Sequence, residues 1–178
     1  MPRAKLWSYS LSCKRKEDTS RLTDDEILRV LKSGDGILPA FVKTVHANER
    51  LPEYSNINIP NKRSNQGFII ENGQFVSKKI DTIVDDVIDV RIPELKNHAK
   101  DFKEKKKITD REYNNINKKL DFVKNTFIET EDVDGNIVKG DKNDVKKLKD
   151  DRSNIVNAIY DNREVINANI KHCKKINK

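Results

Sequence analysis

The chain has 178 residues, and its 36 basic and 29 acidic side chains give a formal net charge of +7. Hydrophobic residues make up 35% of the sequence and charged residues 37%, a balance that suits an elongated helical protein better than a single sphere. No run approaches the roughly 20 apolar residues of a membrane span, and the start lacks the apolar stretch of a signal peptide, so we expect a soluble, intracellular protein with no membrane contact.

Residues 1–22 form a basic N-terminal arm without sustained periodicity. Within it Trp7, Tyr9 and Leu11 alternate as the residues of a strand do. We therefore expect the arm to dock on the body of the protein.

A helical hairpin is predicted directly after the arm. Thr23 and Glu26 have the spacing of a capping box, so a helix should begin there, and Gly34 should end it. A second helix should follow from about Ile37, where apolar residues recur at helical spacing: Leu38, Phe41, Val42 and Val45.

From Pro52 onward the pattern becomes that of strands. Short alternating or apolar runs occupy positions 56–59, 68–71 and 74–77, and Asn72-Gly73 is the preferred pair for a type I′ turn. These features predict a small antiparallel β-meander.

The sequence pattern of the second half of the chain predicts mainly helices. An amphipathic stripe begins at Ile80 and is predicted to stop near Pro93, which should open a new helix over 94–107. A second capping box, Thr109 with Glu112, should begin a helix over 110–127 that lies antiparallel to the one before it.

Residues 128–144 break the helical pattern. Asp134-Gly135 between Val133 and Ile137 favours a small hairpin. A calcium loop is the alternative, because acidic or amide side chains alternate there, but its sixth position needs glycine and holds Ile137. We therefore favour a turn over a metal site.

The segment from Val145 to Lys178 contains neither proline nor glycine and is predicted to form one long, coiled-coil-like helix. Its face either packs on helices of the same chain, which we slightly favour, or forms an oligomer seam in which asparagines fix the register. The seam residues are Leu148, Ile155, Ile159, Asn162, Ile166 and Asn169.

Positive charge is the strongest chemical feature of the sequence, and it concentrates in the helical half. Lysines that could neutralise phosphates without reading sequence lie in two clusters. The alternative, which we favour, is a solvated helix face. The lysines are Lys96, Lys100, Lys103, Lys106 and Lys107 in the first cluster, and Lys171, Lys174, Lys175 and Lys178 in the second.

Catalysis has little support in the sequence. Cys13 and Cys173 are too few for a four-thiolate zinc site, and the three histidines are scattered. His46 is better explained as a buried histidine bonded to backbone than as a general base. We therefore expect a protein that is not an enzyme, with no cofactor and no metal, unless carboxylates and a histidine converge in one cleft.

The segment 45–61 carries a resemblance. Its sequence, Val-His-Ala-Asn-Glu-Arg-Leu-Pro-Glu-Tyr-Ser-Asn-Ile-Asn-Ile-Pro-Asn, resembles a segment of giant-virus (nucleocytoplasmic large DNA virus) proteins that often carry a C2H2-type zinc finger. The likeness covers roughly residues 24–95; Ala47 replaces the usual aromatic, and the zinc-finger ligands are missing. The resemblance implies an origin in a large DNA virus. From the residues themselves, His46, Asn48, Pro52 and Asn56 are expected to be structural.

Together these features predict an α+β fold: an N-terminal helical hairpin, a small antiparallel β-meander, and a helical C-terminal half ending in a long helix. The expected divisions are the arm 1–22, an α+β unit 23–92 and a helical unit 93–178. The expected function is a non-catalytic interaction module that self-associates or binds a protein, with nonspecific DNA or RNA contact through lysines. The alternative is a structural component of the virion. The host cytoplasm, including viral factories, or the virion is the expected location.

Overall fold

The computed structural model describes residues 19–125, 129–131, 137–139 and 141–176. Within these ranges, a helical hairpin leads into a three-stranded antiparallel sheet and then into a mainly helical second half. The α+β fold class predicted from the sequence is confirmed. The alternating residues of the arm, Trp7 to Leu11, lie outside the described residues.

The hairpin consists of helix α1, Asp24–Leu31, and helix α2, Ile37–His46. The predicted capping box is confirmed: the Glu26 amide donates to Thr23 Oγ1 at 3.2 Å, and the Thr23 amide donates to Glu26 Oε2 at 2.7 Å. Gly34 has a φ of +71°, the left-handed conformation that favours glycine after a helix end.

The sheet is a meander of β1 (Ile57–Asn58), β2 (Gln66–Glu71) and β3 (Gln74–Lys79). Asn72 and Gly73, between β2 and β3, have φ values of 50° and 78°, as the predicted type I′ turn requires. On one face of the sheet, Gly67 lies so close to the next helix that an added Cβ would sit 2.7 Å from Ile83 Cδ1.

The next helix corrects the prediction at Pro93. Helix α3 runs without interruption from Ile80 to Glu104 and contains Pro93, and it crosses the expected division between residues 92 and 93. Pro93 is exposed, so the carbonyl of Asp89, which loses its helical donor, lies on the water-facing side. The buried stripe on the opposite side continues past the proline through Ile88, Ile92 and Leu95, and this packing outweighs the local cost.

Helix α3 ends in a reverse turn at Lys106, which has a φ of 55°. The Lys107 amide donates to the Phe102 carbonyl at 2.8 Å and the Lys106 amide to the Lys103 carbonyl at 2.9 Å, the bonding pattern of a Schellman motif. The predicted helix over 94–107 therefore stops three residues early, because its last carbonyls are satisfied by this turn.

Helix α4, Asp110–Asn125, begins at the second predicted capping box, in which the Glu112 amide donates to Thr109 Oγ1 at 3.2 Å. It lies antiparallel to α3, since Lys103 pairs with Asp110 while Lys96 pairs with Asp121. Strands β4 (Glu129–Glu131) and β5 (Ile137–Lys139) follow and pair as predicted. Their turn, including Asp134-Gly135, lies outside the described residues.

The C-terminal helical segment is divided at Asn162 into α5, Lys142–Asp161, and α6, Arg163–Ile176. Asn162 accounts for the division. Its side-chain amide donates to the Ala158 carbonyl at 2.8 Å, and its own carbonyl accepts from the Ile166 amide at 3.1 Å, so it ends one helix and caps the next. One hydrophobic core joins residues from α1 through α6.

Candidate functional site

The first lysine cluster, at the end of α3, is largely neutralised by carboxylates. Each of four predicted residues has an acidic neighbour within salt-bridge distance. The pairs are Lys96 with Asp121, Lys100 with Glu104, Lys103 with Asp110, and Lys107 with Asp24. The fifth, Lys106, is exposed at the reverse turn. A paired surface lysine offers a phosphate less net attraction than a free one, because the carboxylate repels the phosphate.

The second cluster differs in this respect. Lys171 and Lys174 are exposed on α6, and neither forms an ion pair with any residue in the part of the chain that the structure describes. The backbone of Lys175 belongs to α6, while its side chain and the whole of Lys178 lie outside the described residues. Cationic charge without an ion-pair partner among the described residues therefore gathers at the end of α6.

The structure brings an aromatic side chain to this second cluster. Phe75 on β3 is 45% exposed, and among the described residues it is the only large hydrophobic side chain that is exposed. The ammonium nitrogen of Lys174 lies 4.4 Å from the centroid of the Phe75 ring, within cation–π range. A basic surface with an accessible ring is the combination used to hold nucleic-acid strands.

Phe68 extends this aromatic surface across the sheet. Ile70 pairs with Phe75, and Phe68 with Ser77, so the two phenylalanines are diagonal neighbours on one face. Their rings meet edge to face, with centroids 6.4 Å apart. We name Phe68, Phe75, Lys171 and Lys174 the Phe75 patch.

The aromatic half of the Phe75 patch was missed by the sequence analysis. The strand alternation and the Asn72-Gly73 turn together contain the signal that Phe68 and Phe75 share a face. The sequence offers no local signal that α6 returns to this face about 100 residues later. The lysines were found, but their aromatic neighbours were not.

Helix α6 reaches the sheet through polar contacts as well. The Asn58 side-chain amide, on β1, donates to Asn167 Oδ1 on α6 at 2.9 Å. Asn167 and Lys174 lie two helical turns apart on one face of α6, so the helix crosses the sheet from β1 toward β3. This crossing fixes the position of Lys174 beside Phe75.

The residues predicted for an oligomer seam lie inside the chain's own fold. Leu148, Ile155, Ile159 and Ile166 are buried, and Asn169 is 6% exposed. The Asn169 side-chain amide donates to the Asn48 carbonyl at 3.0 Å and to Ser55 Oγ at 2.9 Å. An intermolecular seam on these residues is therefore corrected to an intramolecular packing face, with Asn162 placed at the junction of α5 and α6.

The predicted structural residues of the 45–61 segment form hydrogen bonds and turns within the fold. His46 is 1% exposed, and its Nδ1 donates to the Tyr54 carbonyl at 3.0 Å. Pro52 opens a short 3₁₀ turn, Pro52–Tyr54. The Asn56 carbonyl accepts from the Ile70 amide at 2.9 Å, beside the start of β1.

Asn48 connects α1 to the loop after α2. Its Oδ1 accepts from the Arg50 amide at 3.0 Å, and its Nδ2 donates to Glu26 Oε1 at 3.0 Å. Burial alone would raise the pKa of Glu26, but hydrogen bonds from Thr23, Arg50 and Asn48 hold that pKa below its ordinary value. Glu26 is therefore a structural carboxylate that stays charged.

Arg91, which was not among the predicted site residues, is buried and contacts His46. The Arg91 side chain is 2% exposed; Nη1 donates to Glu94 Oε2 at 2.7 Å, and Nη2 lies 3.3 Å from His46 Nε2. Since a guanidinium only donates, His46 Nε2 must accept, and Nδ1 carries the proton. This arrangement suits a neutral histidine held in place, and it leaves no free nitrogen for proton transfer.

Two cavities lined by described residues contain neither a histidine nor a cysteine. A cavity of about 30 Å³ between α2, α4 and α5 is mainly apolar and is lined by residues such as Leu38, Leu120 and Ile155. An open groove between α1 and α2 presents Arg29, Lys43 and Glu49 along with small apolar side chains. Burial, with a contribution from Glu53, raises the pKa of the Cys173 thiol, which disfavours the nucleophilic thiolate.

Comparison with protein-family models, curated proteins and solved structures gives no match to this chain. Among the described residues, histidine, cysteine, aspartate and glutamate side chains do not form a group of three or more that could hold a metal ion. Of the helices within those residues, none combines the length and apolar character needed to cross a bilayer.

Proposed function

We propose that the protein is a non-catalytic binding module that contacts nucleic acid through its phosphates, without reading base sequence. The observation that carries the proposal is the position of the Lys174 ammonium group, 4.4 Å from the ring centroid of the exposed Phe75. Lysines bind phosphates by releasing condensed counterions, and unpaired lysines do so at the least cost.

The contrast between the two lysine clusters supports the choice of α6 as the contact. The α3 lysines already have carboxylate neighbours, while Lys171 and Lys174 have none among the described residues. Lysines in the last turns of a helix also interact favourably with the helix dipole, by about 0.3–1 kcal/mol each. That structural role explains their charge but not the exposed ring beside it.

The proposal keeps the viral origin implied by the 45–61 segment, and it places the protein in the host cytoplasm or the virion. It does not include self-association through the buried helix face, because those side chains are occupied within the chain. The alternative function, a virion component whose charge maintains solubility, predicts no dependence of any binding on Lys171 and Lys174.

The test is the salt dependence of binding to a fluorescently labelled DNA of about 16 nucleotides, between about 50 and 200 mM salt. We expect the affinity of the wild-type chain to fall steeply with salt. The double substitution Lys171→Ala and Lys174→Ala should lower the slope of log affinity against log salt by about 2. Lys100→Ala with Lys103→Ala is the matched control, equal in charge removed, and should change the slope less.

Two results would count against the proposal. Wild-type protein that fails to bind DNA at the lowest salt rules out nucleic-acid contact of this kind. If both double variants lower the slope of log affinity against log salt by the same amount, α6 is not the specific contact, since only the overall charge of the protein would matter. Thermal unfolding of all variants shows whether the fold is retained.

A further inference from the structure

The Phe75 patch combines two features that a double helix cannot use together. The phosphates of a duplex are accessible to lysines, but the faces of its bases are stacked on one another. A single strand exposes the faces of its bases, and aromatic side chains bind them by stacking with little regard to sequence. An exposed ring next to unpaired lysines therefore suits a single strand better than a duplex.

The geometry of the patch fits such a strand. Phe75 is 45% exposed and lies where α6 passes over the outer edge of the sheet, so its ring is reached from solvent. The Lys174 ammonium group lies over one face of that ring, so a base that stacks on this face displaces it, and the displaced ammonium group stays close enough to pair with the phosphate of the same nucleotide. Lys171, one turn earlier on the same helix, is placed for a neighbouring phosphate.

A protein ligand is a less suitable occupant of the patch. The centre of a protein interface is depleted in lysine, and a partner segment would have to bring acidic groups to match both lysines. A polynucleotide supplies an anion with every base. Charge complementarity and the exposed ring thus favour the same ligand.

We infer that the Phe75 patch binds single-stranded nucleic acid, with a base stacked on Phe75 and the adjoining phosphates on Lys171 and Lys174. This inference rests on the proposed function, which it narrows from nucleic acid in general to unpaired strands. Phe68 acts as a positioning residue, because its ring and the Phe75 ring pack edge to face.

The experiment compares the binding of labelled oligo(dT), oligo(U) and a duplex DNA, each of about 16 nucleotides per strand, at one low salt concentration. We expect either single strand to bind more tightly than the duplex. Phe75→Leu, which keeps the side chain apolar but removes the ring, should weaken single-strand binding roughly tenfold and leave duplex binding unchanged. Phe75→Tyr should restore it, since tyrosine also stacks.

The outcomes separate this inference from the proposed function. If single strands and duplex bind equally, and Phe75→Leu has no effect while Lys171→Ala with Lys174→Ala weakens both, the inference is overturned and the proposed function stands. If wild-type protein binds none of the three ligands, the proposed function falls and the inference with it. Phe122→Leu serves as a matched control, because Phe122 also carries a lysine over its ring, Lys147 at 4.7 Å, but belongs to the mainly apolar cavity wall.

Discussion

The side-chain amide of Asn169 lies 3.0 Å from the backbone carbonyl of Asn48, across 121 positions of sequence. The same amide donates to Ser55 Oγ at 2.9 Å, and Ser55 Oγ in turn donates to the His46 carbonyl at 2.6 Å. A helix of the C-terminal segment is therefore held to the loop after α2 by buried hydrogen bonds. Asn169 therefore forms its hydrogen bonds within its own chain and not with a second copy of the helix.

Replacing Asn169 with leucine should destabilise the folded chain and leave its oligomeric state unchanged. The substitution removes two buried hydrogen bonds, one to the Asn48 carbonyl, which still accepts from the Leu51 amide, and one to Ser55 Oγ, which still donates to the His46 carbonyl. Each lost bond costs about 0.5–1.5 kcal/mol. Chemical denaturation gives the change in stability, and light scattering at several concentrations gives the mass. Asn162→Ala, at the α5–α6 junction, is the comparison and should cost less. A change in the number of chains per particle in Asn169→Leu would instead support an intermolecular seam on this helix face.

Replacing Arg91 with methionine should lower the free energy of unfolding by about 2–4 kcal/mol. Methionine has a similar length, but it deprives His46 Nε2 of a donor and Glu94 of its buried partner. Arg91→Lys is the control, because it keeps the charge and loses the planar geometry that reaches both groups, so an intermediate loss is expected. Urea denaturation measures the free energy of unfolding of both variants. A decrease of less than about 1 kcal/mol for Arg91→Met would contradict the described network.

Replacing Lys106 with glycine should raise the free energy of unfolding by about 1 kcal/mol. Lys106 has a φ of 55°, a left-handed conformation that glycine adopts without the steric cost of a Cβ. Lys106→Ala removes the same charge but keeps the Cβ, so it should not give this gain. Thermal or urea unfolding of the two variants side by side is the measurement, and equal stabilities would mean that charge, not backbone conformation, dominates at this turn.

The stability of the protein should fall as the pH drops below about 6.5, partly because of His98. Burial lowers the pKa of His98 below its ordinary value of 6.5, although Asp101 and Asp24 act in the opposite direction and Lys105 acts in the same one. When the folded-state pKa is the lower one, the unfolded chain binds a proton first as the pH falls. The contribution is therefore complete above 6.5 and is lost as the pH falls through the folded-state pKa.

His98→Gln isolates this contribution. The variant keeps a polar group near Thr19 Oγ1, which lies 3.0 Å from His98 Nε2, but it cannot titrate. Urea denaturation of wild type and variant at pH values on either side of 6.5 should show a steeper fall for the wild type. Parallel curves would show that His98 does not couple folding to protons.

Local signals in the sequence predicted much of the fold. Both capping boxes, at Thr23 and Thr109, form as expected, because the bonds that define them join residues only three positions apart. The Asn72-Gly73 turn adopts the required positive φ values for the same reason. These elements depend on their own residues more than on the rest of the chain.

The failures of prediction occur where distant packing decides. Pro93 was expected to divide two helices, but the buried stripe on both sides of it keeps α3 continuous. In the sequence Arg91 resembles any other charged residue, but its buried side chain contacts His46, which lies 45 positions earlier. In the candidate site, the lysines were visible as two clusters, whereas most of their carboxylate neighbours and the Phe75 ring come from other elements; Glu104, on the same helix as Lys100, is the exception.

The bond between Asn169 and Asn48 also bears on how the protein forms during synthesis. A ribosome that has released α1 to α3 has not yet supplied the helix that covers Ser55 and the outer face of the sheet. Until α6 emerges, the Asn48 carbonyl lacks its hydrogen bond from Asn169, and the sheet face that carries Ile70 lacks the helix that crosses it. The early part of the chain is therefore expected to remain partly folded or to be bound by a chaperone until then. We therefore expect this chain to fold more slowly than a simple helical bundle, and we expect a chain that ends before α6 to expose apolar surface, to aggregate and to be degraded.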